Sequence, residues 1–122
     1  MSRRLLPIAI ASAGLLLLAA CSNALADNPR VFFGEPKHGA VVTSPVFIAM
    51  EAENFTIEPA ARGVHEGAGH FHLMVDTPCV PFGMTVPADE NHLHFGNGTD
   101  VWSLILEPGE HSLCLQAGDA AH

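Results

Sequence analysis

Apolar residues are spaced in two different ways along this chain. From residue 5 to residue 18 they are nearly continuous, whereas from Arg30 onward they alternate with polar residues or form short blocks between turn residues. No stretch of the second part sustains the 3.6-residue period of a helix, and alternation with a period of two is the mark of half-buried strands. The pattern predicts strands at residues 30–34, 45–53, 70–76, 91–95, 101–107 and 110–116. In the second, Val46, Ile48, Met50 and Ala52 share one face while Glu51 and Glu53 take the other. In the third, Phe71, Leu73 and Val75 oppose His70, His72, Met74 and Asp76. Pro108-Gly109 is a turn dipeptide and predicts that the last two strands form a hairpin. Six short strands in one unit predict an all-β fold, an immunoglobulin-like antiparallel sandwich. Such a sandwich closes with a further strand, so the chain reads as a C-terminally incomplete fragment.

The continuous apolar stretch belongs to a different kind of segment. Met1 to Arg4 is a basic head, residues 5–18 are apolar, and Ala19 and Ala20 are small, which is the layout of a secretory signal. At about fifteen residues the stretch is short for a bilayer span of roughly twenty. Leu18-Ala19-Ala20-Cys21 has the form of a lipobox, in which the Cys21 thiol is acylated and becomes the new N-terminus. Three segments follow: a signal peptide at 1–20, a lipid-anchored tether at 21–29, and a β-sandwich domain at 30–122. Ser22 lacks the acidic character of an inner-membrane retention signal, so the expected location is the periplasm, on the outer membrane's inner leaflet. Ala24-Leu25-Ala26 is an alternative cleavage site that would release a soluble periplasmic chain starting at Asp27.

Cleavage alters the charge. Arg3 and Arg4 leave, and three basic residues remain against thirteen acidic ones, a net charge of about −10. That excludes nucleic acid as a natural partner and disfavours anionic lipid surfaces, while it attracts cations. With Cys21 lipidated, Cys79 and Cys114 are an even pair in an oxidising compartment and most simply a disulfide, the alternative being two free thiols. In a sandwich of this type the third and sixth strands are neighbours, which would bring the two cysteines together on the surface that carries the histidines.

Histidine carries the chemical content. There are eight, and four form two H-x-H pairs, His70/His72 and His92/His94. Residues two apart on a strand leave the same face with Cα atoms about 6.5–7 Å apart, close enough for two imidazoles to converge on one metal. Phe71, Leu73, Leu93 and Phe95 claim the core, so all four histidines are expected on the outer face. Neighbouring strands would make them a four-imidazole site for zinc or copper, with Met74 and Asp76 as accessory ligands at its margin; Met74 would favour Cu⁺. His38 and His65 read as plain loop residues. His111 shares a strand face with Leu113 and Leu115, which suggests a buried, hydrogen-bonded role akin to a tyrosine corner. His122 could join the site only through a continuation of the chain.

Several blocks in fixed order carry a family resemblance: Gly34-Glu35-Pro36-Lys37-His38-Gly39-Ala40-Val41 with Ser44-Pro45, Gly69-His70-Phe71-His72-Leu73-Met74-Val75-Asp76, Asn91-His92-Leu93-His94-Phe95-Gly96, Pro108-Gly109-Glu110-His111-Ser112-Leu113 and Gly118-Asp119. Together they resemble the bacterial envelope family catalogued as domain of unknown function 4399, over Val31 to His122. The resemblance implies a small exported β domain and brings no activity with it. The family's first block usually has a further histidine where this chain has Phe71, and its closing segment, with His and Pro residues, has no counterpart here.

Three classes of function then compete. A metal binder uses the paired histidines, and a non-catalytic structural or protein-interaction module of the envelope needs only the fold and the anchor. A superoxide dismutase-like enzyme is suggested by Gly69-His70-Phe71-His72 followed by Cys79, but a Gly-rich zinc loop and a bridging histidine are missing. Ser44, Ser103 and Ser112 carry no nucleophile signature. The expectation is a protein that is not an enzyme.

Overall fold

A computed structural model describes residues 28–121. The expected signal peptide and Cys21 anchor, and His122, lie outside the described residues. Seven strands make two sheets: β1 (Arg30–Glu35), β2 (Val46–Glu53), β3 (Thr56–Ile57), β4 (Ala68–Val75), β5 (His92–His94), β6 (Val101–Leu104) and β7 (Leu113–Gly118), with a 3-10 turn at Ala60–Arg62. The first sheet has the order β1-β2-β6. In the second, β4 is central, with β7 along one edge and both β3 and β5 along the other. All pairings are antiparallel except β3 with β4.

The alternation along the strands builds the core. Val46, Ile48 and Met50 of β2 and Leu104 of β6 are buried against Phe71, Leu73 and Val75 of β4 and Phe95, just after β5. Each such side chain contributes roughly 1.5–3 kcal/mol when removed from water. The all-β, two-sheet reading of the sequence therefore describes the molecule.

Three expectations need correction. Residues 101–107 and 110–116 do not form a hairpin, because β6 pairs with β2 through Val46↔Leu104 and β7 pairs with β4 through Leu73↔Leu115. The Pro108-Gly109 turn lies instead in a connection that carries the chain from one sheet to the other. Alternation fixes which face of a strand is apolar and leaves its partner open, so a turn signal between two strands serves a crossing as well as a hairpin. The two-residue β3 is a further strand, too short to show a period.

The third correction bears directly on the site. Every residue of β4 is buried, on both faces. His70 and His72 have 0% and 1% exposure, and Met74 is also at 0%. They face away from the apolar core, as the pattern predicts, yet away from the core is not toward solvent. The chain after Asp76 folds back over this face and is fastened there twice. Cys79 is joined to Cys114 of β7 by a disulfide, with Cα atoms 5.5 Å apart. The Gln116 amide then accepts from the Val80 N–H and donates to the Val80 carbonyl, both at 3.0 Å.

Candidate metal centre

Strand register brings the histidines together. His72 of β4 lies directly opposite His94 of β5, and His70 lies one same-face step along β4. The Nε2 atom of His70 is 3.1 Å from Nε2 of His72 and 2.9 Å from Nε2 of His94. Ring centroids are 4.7–5.0 Å apart. His70 and His72 form the buried floor, and His94 stands at the exposed rim.

Three imidazole nitrogens this close could share a metal ion as well as hydrogen bonds. An imidazole nitrogen has one in-plane site, holding either a lone pair or a proton, and makes one good hydrogen bond. His70 Nε2 has two imidazole nitrogens at contact distance. A cation on which three lone pairs converge satisfies all three at once. The ring nitrogens of the three histidines all lie within 4.8 Å of one another, close enough to be candidate ligands of a single ion.

The second H-x-H pair is divided. His94 joins the cluster, whereas the Nδ1 of His92 lies 2.6 Å from Asp89 Oδ1. That hydrogen bond holds the Asp89 carboxyl below its ordinary range, with help from the Asn91 backbone N–H. Asn91 anchors the same corner by donating from its side chain to the Val75 carbonyl. The site that the structure assembles thus has three imidazoles where four were expected.

The accessory positions also separate. Met74 is buried on the same face as His72, opposite His92 in register. Asp76 is not at the margin of the site. At φ +56° it turns the chain out of β4, and its carboxylate accepts from the Ser112 N–H at 3.0 Å and from His111 Nδ1 at 2.8 Å. His111 is half-buried rather than buried, and its Nε2 donates to the Glu107 carbonyl at 2.8 Å. Both partners are acceptors, so the arrangement favours the protonated ring, which can donate to both. Accordingly the hydrogen bond to Asp76, then that to Glu107, raise the His111 pKa, while Asp76 is lowered. Of the two expected plain loop residues, His38 is exposed, but His65 Nδ1 lies 2.6 Å from Oε1 of the buried Glu58.

Two glycines matter here in ways that the sequence pattern did not reveal. A Cβ at Gly96 would sit 2.5 Å from His94 Cε1 and 2.8 Å from its Nε2, so only glycine leaves room for the His94 ring in this position. A Cβ at Gly69 would strike the Gly118 carbonyl on the neighbouring strand. A glycine flanking each H-x-H pair was the available signal, since close approach of a side chain or backbone is a common reason for glycine in or beside a strand.

With this geometry in place, comparison with known families gives one result. The chain belongs to the family described as Domain of unknown function (DUF4399), whose model matches residues 48–122, more than half of its length. No curated protein and no solved structure matches it. The matched region contains all three clustered histidines, both bonded cysteines and Gly96.

Proposed function

We propose that this domain binds one transition-metal ion through Nε2 of His70, His72 and His94, holding Cu²⁺ more tightly than Zn²⁺ in the usual order of divalent ions at imidazole sites. The observation that carries the reading is the convergence of three Nε2 atoms around His70 at 2.9 and 3.1 Å, two of the rings being buried. Met74 is the candidate additional donor on the same face and would extend the site's range to Cu⁺. The domain acts as a binding module of the cell envelope rather than an enzyme. Export is supported by the basic-apolar-small pattern of residues 1–20, and lipid anchoring by Leu18-Ala19-Ala20-Cys21. The immunoglobulin-like reading is supported by the order β1-β2-β6 and β5-β4-β7, which resembles strands A-B-E and C′-C-F of that fold.

Calorimetric titration of Cu²⁺ and Zn²⁺ into the tag-free protein tests the proposal. One equivalent of Cu²⁺ should bind, more tightly than Zn²⁺, and affinity should fall below pH 6.5, about the reference value of histidine, because ligation needs neutral imidazoles. His94→Ala should weaken binding by more than the roughly 10–100-fold typical of an outer-shell partner. His38→Ala should leave it unchanged. Equal affinity in all three proteins would mean diffuse cation uptake by an acidic surface and would leave the structural-module reading in place.

A further inference from the structure

The two edges of the β1-β2-β6 sheet are built differently. β1 bears Arg30 and Glu35 at its ends, and its register against β2 shifts between Phe33 and Glu35. Charges and bulges are the usual means by which an edge strand is kept from pairing with another chain. β6, at the other edge, is Val101-Trp102-Ser103-Leu104, with no charge, no proline and an even register against β2. β2 is its only strand partner among the described residues. The Met50 N–H donates to the Asp100 carbonyl and fixes the phase of the ladder, in which Trp102 and Leu104 turn their backbone groups to β2. Val101 and Ser103 therefore turn theirs outward, along the open edge.

An apolar slot lies beside this edge. Trp102 is level with Ile48 and so belongs to the inner face, yet it keeps 45% of its surface exposed where Leu104, the next inward residue, keeps 8%. Across from it the other sheet offers only the three-residue β5. The gap is a groove walled by Pro59, Ala60, Leu93, Phe95 and Trp102, with Phe95 and Trp102 packed edge to face at 5.5 Å. A row of outward backbone groups beside an apolar slot suits an added strand, because main-chain bonds give affinity and alternate side chains enter the slot.

We propose that β6 is a docking edge for an extended segment of a partner protein, one with alternate apolar side chains and a basic residue at each end. The charge requirement comes from the surroundings of the edge. Asp100 and Glu107, both exposed, bracket it, and no Lys or Arg lines the groove among the described residues. The chain without its first twenty residues carries a net charge of about −10, which attracts basic partners. A second copy of the domain would bring the same acids and the same excess of negative charge, which disfavours self-pairing. No metal ion is needed for this contact.

Trp102 is the single tryptophan of the chain, so its fluorescence in the metal-free protein reports occupancy of the slot. The probe is a peptide of about seven residues, alternating valine and threonine with a lysine at each end. It should move Trp102 emission to shorter wavelength, saturating at one equivalent, and should bind more weakly as salt is raised. Glutamates in place of the lysines should weaken binding about tenfold, the scale of two exposed ion pairs reversed. Only one alternate row of peptide N–H groups can face β6. Methylating the backbone nitrogens of the valines, or those of the threonines, should therefore give one peptide that binds and one that does not. Ser103→Pro removes an outward N–H alone and should abolish binding with thermal unfolding close to wild type. Should that variant fail to fold, the two methylated peptides still decide the question. An emission spectrum unchanged by the lysine-ended peptide overturns the proposal, as does equal affinity for the glutamate-ended peptide or for the two methylated ones. A dimer in sedimentation that the peptide does not dissociate means that a second copy covers the edge, and overturns it too.

Discussion

The two H-x-H pairs have the same spelling and different fates. His70 and His72 lie on β4, which has a strand on each side and a covered outer face, and both rings are buried in the cluster. His92 and His94 lie on β5, a three-residue strand with β4 as its only partner among the described residues. There only His94 reaches the cluster, while His92, at the end of the strand, is held by Asp89. The motif sets which face a histidine takes. The neighbours at each strand position decide whether that face is a buried floor, an open rim or the start of a turn.

This contrast can be broken most forcefully by uncovering the first pair. The disulfide spans 35 residues and fixes the segment above His70 and His72, so Cys79→Ser/Cys114→Ser should cost about 3–4 kcal/mol in urea unfolding. It should also raise hydrogen exchange at β4 more than at β2. A loss below about 1 kcal/mol would show that the cover holds itself in place. Next in size, His72→Ala should cost about 2–4 kcal/mol in the metal-free protein by opening a cavity, whereas His94→Ala at the exposed rim should stay within about 0.5 kcal/mol. Equal costs would mean that the two positions are not floor and rim. Smaller again, Gly96→Ala should displace the His94 ring and lower copper affinity about tenfold, the range of an outer-shell change, with little effect on stability.

The smallest effect lies outside the site, where His111 and Asp76 test whether the far end of β4 is independent of the cluster. His111 is raised, so its contribution is fully present below the unfolded value of 6.5 and is lost as pH rises through its folded value. Asp76 is lowered, so its contribution is present above 3.8 and is lost as pH falls through its folded value. The pair is therefore complete between roughly pH 4 and 6.5. Urea unfolding of the metal-free protein should show stability declining from pH 6 to 8.5 more steeply than in His111→Gln. Identical profiles would show that the pair does not contribute.

How much of this could be read from the sequence follows from what periodicity encodes. Alternation at Val46, Ile48 and Met50, and at Phe71, Leu73 and Val75, marked the two inner faces, and the H-x-H spacing marked the common face of His70 and His72. Partnership is not encoded locally, so the Pro108-Gly109 turn signal suggests a hairpin although β2 and β4 hold β6 and β7 in separate sheets. Burial of the histidines was missed for a related reason. Their cover is an irregular segment with no period of its own, held by Cys79 and by Gln116, a residue whose amide is informative only once Val80 lies beside it. The division of His92 from His94 depends on Asp89, three residues before His92, and nothing in the pattern separates that aspartate from an ordinary loop acid.

The central claim is that three imidazoles, and not four, hold one ion. Pulsed electron paramagnetic resonance of the Cu²⁺-loaded protein counts coordinated imidazoles through their remote nitrogens. The wild type should show three, His92→Ala should keep all three, and His94→Ala should show two with a changed copper spectrum. Loss of an imidazole in His92→Ala, or no change in His94→Ala, would contradict the account.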